Sequence, residues 1–202
     1  MTMGGGWSRR RCLEAALLAP MSATLKAEGP TKPTAPPDLF WQLARRGGCL
    51  MVMRHSPTVP GLGDPPGWTL ADCATQRNLS ESGRAQARRL GERFRQEGVV
   101  LTEVRSSAWC RCKDTADLAF GSHQVWQPLN SFFETPDHGL RQVRDMKAEW
   151  TRLRPPANWM WVTHQVNITA LTGQVPSMGE VYLINTDSTT PGQVPVLARW
   201  QP

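Results

Sequence analysis

The run Cys49-Leu50-Met51-Val52-Met53-Arg54-His55-Ser56 holds five consecutive apolar residues that end on a guanidinium and an imidazole. A short, unbroken apolar run of this kind reads as a strand buried on both faces, as in a parallel sheet covered by helices. Turn formers follow at once in Pro57-Thr58-Val59-Pro60-Gly61, so Arg54 and His55 fall at the strand's carboxyl end. In open α/β sheets that edge is where ligands bind.

Outward from this strand the chain alternates helix and strand. Asp38 caps a predicted helix carrying Leu39, Phe40, Leu43 and Ala44, which Gly47-Gly48 stops. A loop rich in Pro and Gly runs from Ser56 to about Thr75. Ser80 caps the next helix, where Ala87, Leu90, Gly91 and Phe94 recur at helical spacing up to Gly98. A strand ending near Val104 delivers Ser106-Ser107, and a helix from Arg111 to Phe120 closes at Gly121. Between Gly139 and Arg154 a helix places Leu140, Val143, Met146, Trp150 and Leu153 on one face, with Pro155-Pro156 beyond it. Trp159 to Thr163 reads as a strand, Asn167 to Leu171 as a short helix, and Gly179 to Asn185 and Val194 to Trp200 as two more strands. This order predicts a three-layer α/β/α sandwich around a mostly parallel sheet.

Composition is that of a soluble globular chain, 40% apolar and 20% charged. The nine Trp are scattered and read as packing residues. The formal charge is +6, but residues 1–27 hold Arg9, Arg10, Arg11 and Lys26 against Glu14 alone, so half the excess sits there. With no basic stripe interleaved with aromatics, nucleic acid is not an expected partner, and the mild positive field favours small anions.

Residues 1–27 read as an export signal, in which Ser8-Arg9-Arg10-Arg11-Cys12-Leu13 resembles a twin-arginine motif before a short apolar stretch. That stretch is too short to span a bilayer. The Pro-rich 28–37 reads as a linker, and 38–202 as one domain. The expected location is therefore periplasmic or exported. If Met21 is the true start, it is cytoplasmic. Cys49 falls in the apolar strand and reads as a small buried hydrophobe, while Cys73 is placed to bridge to Cys110 or Cys112 in an oxidising compartment. The Cys110-x-Cys112 spacing is not that of a structural zinc site, although a redox or metal role for this pair is a competing reading.

Three predicted strand ends thus deliver Arg54-His55, the segment from Ser106 to Arg111, and Thr163-His164 to one rim. Phosphate recognition uses clustered guanidinium forks. Attack on phosphorus uses an unprotonated imidazole nitrogen held by a bond to the other ring nitrogen.

The ordered set Arg54-His55-Ser56, LSESGRAQARRLG from Leu79, SSAWCRCKDTA from Ser106 and VTHQVNITALTG from Val162 resembles the histidine phosphatase superfamily, with its phosphoglycerate mutase-like fold, from about Leu50 to Tyr182. The resemblance implies that His55 is a nucleophile that becomes phosphorylated, clamped by Arg54, Arg111 and His164. It implies a metal-independent phosphatase for phosphate monoesters, with no cofactor and a phosphorylated small molecule as partner. A branch of exported bacterial phosphatases is most similar, which makes an envelope phosphosugar the expected substrate class. Two departures stand out. Ser56 occupies the place of the usual Gly, and Gln165 after His164 replaces an acid found there in some relatives. Glu134 in LNSFFETPDHG is therefore the candidate proton donor, with Asp137 in reserve, and Arg77 is a candidate substrate contact. His123 and His138 match no family position. The alternative is a module on the same fold that binds phosphorylated ligands without turning them over.

Overall fold

The computed structural model describes residues 37–186 and 192–202, so the segment read as an export signal and all but the last residue of the linker lie outside the described residues. In chain order the elements are α1 (Pro37–Arg46), β1 (Leu50–Arg54), α2 (Glu81–Gln96), β2 (Glu103–Ser106), α3 (Cys110–Phe120), β3 (Gln124–Val125), α4 (Gly139–Trp150), β4 (Trp159–Thr163), α5 (Gln165–Thr172), β5 (Val181–Ile184) and β6 (Val196–Trp200). They form a mixed α/β sandwich around one six-stranded sheet of order β3-β2-β4-β1-β5-β6. The first four strands in that order pair parallel, β5 runs antiparallel to β1, and β6 antiparallel to β5.

The apolar run is divided by the strand's period of two. Met51 and Met53 enter one core with Phe40, Leu90, Phe94, Met160 and Val162. Leu50 and Val52 enter the other with Met146, Trp150, Trp161 and Ile168. Helices therefore cover both faces, which is why β1 carries no polar residue before Arg54.

Two glycines of the motifs set the spacing of these layers. A Cβ on Gly83 would stand 1.9 Å from the carbonyl oxygen of Pro57, and one on Gly91 would stand 1.9 Å from that of Ala119. Gly83 lets α2 begin against the loop that follows His55, while Gly91 lets α2 lie against α3. The Ser80 hydroxyl accepts from the Gly83 amide at 3.1 Å and caps α2.

Three expectations need correction. Leu140 is 88% exposed: the buried face of α4 runs through Gly139, Gln142, Met146 and Trp150, and Leu140 lies off it. The second strand ends at Ser106 rather than near Val104, and the two-residue β3 pairs beside it. The Trp residues do not all serve the core, because Trp68 and Trp109 wall a pocket.

Candidate active site

The parallel register aligns the strand ends: Arg54 lies opposite Thr163, and Ser106 opposite Val162. The ladder continues one residue further, with the His55 amide donating to Thr163 O at 3.0 Å and the Ser107 amide to Val162 O at 3.0 Å. His164 follows β4 directly, and Arg111 sits in the first turn of α3. Arg54, His55, Arg111 and His164 accordingly line one cavity of about 290 Å³.

The His55 ring is 5.6 Å from that of His164, centroid to centroid, at an interplanar angle of 66°. His55 Nδ1 lies 2.9 Å from the Ser56 carbonyl oxygen, which can only accept. The proton is thereby fixed on Nδ1, and Nε2 keeps its lone pair. Burial, then the charge of Arg111, lower the His55 pKa to about 3, so the ring is neutral at physiological pH. Ser56 fills the family's Gly place without disturbing this bond. Its own amide donates to Thr115 Oγ1 at 3.1 Å, tying the loop to α3.

His164 is buried, and burial followed by the Arg111 charge holds its pKa well below the usual value. Its Nε2 is 2.8 Å from Ser107 Oγ. That hydroxyl accepts from the Trp109 amide at 3.3 Å and has Asn130 Oδ1 as an acceptor at 3.3 Å. Asn130 Oδ1 also accepts from the Ala108 amide at 2.8 Å. Ser107 thus orients the second imidazole.

Arg111 does not pair with the acids of its own helix. Asp114 pairs with Arg84, and Asp117 bonds His123, which is remote from the cavity. Arg111 Nη1 instead donates to Asp64 Oδ1 at 2.7 Å, with both side chains only 5% exposed. Asp64 also accepts from the Arg77 amide at 2.9 Å and from Trp109 Nε1 at 2.9 Å. Burial alone would raise its pKa, but these bonds outweigh burial and hold the carboxyl below its ordinary value. Sequence reasoning missed Asp64. The available signal was that it is the sole acid between Ser56 and Ala71.

Arg77 lines the same cavity, and burial and the Arg111 charge lower its pKa, as burial and the charges of Arg77 and Arg111 lower that of Arg54. The Nε atoms of Arg54, Arg77 and Arg111 are buried without a hydrogen-bond partner among the described residues. Three guanidiniums line this hollow, Arg111 paired with Asp64, and their spare donors suit an oxyanion. Glu134 is exposed and lines the cavity from the segment of residues 131–135, whereas Asp137 and His138 stand in a short turn outside it.

Cys73 and Cys110 form a disulfide, leaving Cys49 and Cys112 free and buried. The bond ties the loop that carries Asp64 and Trp68 to the residue before Arg111. Cys112 Sγ is 3.5 Å from His164 Nε2, but burial pushes its thiol pKa up to about 12, so it is not a thiolate. Among the described residues no group of three or more His, Cys, Asp or Glu is disposed to hold a metal, and no helix is long and apolar enough to cross a membrane.

With this geometry in hand, comparison with known proteins defines the class. The model of the histidine phosphatase superfamily (branch 1) matches residues 52–135, the part of the chain that runs from β1 to the segment carrying Glu134. The solved protein histidine phosphatase SixA, complexed with tungstate, is 16% identical, with 76% of this chain and 97% of that one covered and a TM-score of 0.52. An open-reading-frame product of Mycobacterium tuberculosis is 17% identical over 74% of this chain and 96% of its own, with a TM-score of 0.54. YhfR of Bacillus stearothermophilus is 19% identical over 74% and 95%, with a TM-score of 0.51. These likenesses carry the phosphoglycerate mutase-like fold. No curated protein matches the chain.

Proposed function

We propose that the protein is a phosphatase that hydrolyses phosphate monoesters through a phosphohistidine on His55, with no metal required. The observation that carries this reading is the bond from His55 Nδ1–H to the Ser56 carbonyl, which commits one ring nitrogen and frees the other as an unprotonated nucleophile. Arg54, Arg77 and Arg111 supply the positive charge that the phosphoryl oxygens need, and His164 completes their clamp. His55 Nε2 attacks phosphorus in line, and the P–O bond to the leaving group breaks. Glu134 gives that oxygen its proton. Water then attacks the phosphohistidine, Glu134 takes a proton from it, and phosphate leaves with His55 restored.

Export is the second part of the proposal. It is supported by the arginine-rich segment at residues 8–13 and by the Cys73–Cys110 disulfide, a bond that persists in oxidising compartments. An envelope phosphosugar as substrate is supported by the sequence resemblance alone.

The test is steady-state turnover of an aryl phosphate, whose activated leaving group needs little acid help, by the full chain and by His55→Ala. Turnover that vanishes in the variant is expected. Phosphate binding without turnover in the parent protein would instead favour the binding module.

A further inference from the structure

The floor of the cavity is polar, and its rim carries large apolar side chains among polar ones. Leu62 is 88% exposed on one side and Phe133 is 54% exposed on the segment that also carries Glu134. Neither belongs to the two hydrophobic cores. Between rim and floor stand Trp68 and Trp109, their ring centroids 5.2 Å apart and tilted by 42°, with the Trp109 indole N–H held by Asp64. Exposed apolar side chains scattered singly need no explanation. Several gathered around one polar hollow mark a place where apolar surface is covered by a ligand.

We infer that Leu62, Trp68, Trp109 and Phe133 form a subsite for an apolar, ring-containing group on the alcohol side of the phosphate ester. This rests on the phosphatase reading and gives it a substrate class: phosphate monoesters with an aromatic or comparably apolar body, in preference to a bare sugar phosphate. The size agrees. A cavity of about 290 Å³ lies at the small end of organic-ligand pockets, which start at about 300 Å³, and so suits a phosphoryl group plus a ring rather than a large polar chain. Aromatic walls also give ring-shaped ligands offset or edge-on contact beyond plain area burial. The scissile phosphate sits among the arginines while the organic body leaves water, so binding energy from the remote part of the substrate serves the reaction at phosphorus.

The test compares kcat/KM of the full chain on propyl phosphate, phenylpropyl phosphate and a hexose phosphate, whose alkoxide leaving groups differ little. The phenyl group is expected to raise kcat/KM roughly tenfold or more over propyl phosphate, with the hexose ester no better than propyl. In Leu62→Ser and Phe133→Ser, both at exposed positions, the phenylpropyl-to-propyl ratio falls toward one. Thermal midpoints equal to the parent's show that the fold is kept. A parent ratio near one, a ratio unchanged in both variants, or a hexose ester that is the best substrate would each overturn the subsite while leaving the phosphatase standing. Hydrolysis of none of the three, with no phosphoryl group on His55, would overturn the phosphatase reading and the subsite with it.

Discussion

Replacing Asp64 with Asn removes the carboxylate that pairs with Arg111 while keeping its shape. Asp64 and Arg111 are each 5% exposed, so water screens little of their interaction. Removing one partner of a buried pair costs about 3–5 kcal/mol. The amide oxygen of Asn keeps one acceptor for Arg111 or the Arg77 amide, which returns about 1 kcal/mol. The other end of the amide then meets a donor, whether the Trp109 indole or Arg111 itself. A loss of about 3 kcal/mol is expected, read as a fall of roughly 6–12 °C in the thermal midpoint of a domain this size. Saturating inorganic phosphate should narrow that gap, because an Arg111 without its carboxylate has more to gain from an anion. In turnover, KM should not rise, since the hollow becomes more positive, whereas kcat should fall about tenfold as the guanidinium loses its orientation. A variant as stable as the parent, or one with raised KM and unchanged kcat, would refute the view that Asp64 positions Arg111.

Acid should destabilise the protein through its histidines. Because the folded pKa of His55 is depressed to about 3 and that of His164 lies well below 6.5, the unfolded chain binds more protons below about pH 6.5, and stability falls as pH drops through that range. Unfolding free energies at pH 7 and pH 5 should differ by about 2 kcal/mol through His55, with a further loss through His164, and His55→Asn should remove its share. Changing Cys73 and Cys110 together to Ser opens a loop spanning 37 positions and should cost about 4 kcal/mol on the chain-entropy model, measured by urea unfolding. In the native state neither Cys49 nor Cys112 should react with thiol reagents, and rapid labelling of Cys112 would revive the redox reading of this pair. Ser107→Ala frees His164 Nε2 and should lower kcat about tenfold with little change in KM, as for the loss of a residue that orients a reactive group. Equal loss in KM and kcat would make Ser107 structural only.

Much of this architecture is legible in the sequence where one physical signal acts alone. The apolar run of β1, the capped periodicity of α2, and the strand β4 that ends on Thr163-His164 each follow from local pattern. Their parallel alignment follows from the alternation of strand and helix. What stayed hidden depends on contacts distant in sequence. Nothing local in Gly63-Asp64-Pro65 says that its carboxylate meets a guanidinium 47 residues away, and loop composition cannot distinguish a pocket wall from a surface turn. The choice of Cys110 over Cys112 for Cys73 is likewise set by the turn that α3 has made, not by spacing. The antiparallel direction of β5 and the brief β3 carry no signature in so few residues. Leu140 misled because apolar residues alone do not define the face: the buried face of α4 includes Gly139 and Gln142.

The central claim is that an unprotonated ring nitrogen of residue 55 takes up the phosphoryl group. Rapid acid-free quenching of the full chain during turnover of a radiolabelled phosphate ester, followed by peptide mapping, tests it most directly. The account predicts an acid-labile, base-stable label on His55, chased by water and missing from His55→Ala. Turnover with no label on that histidine, or with label on another side chain, would contradict it.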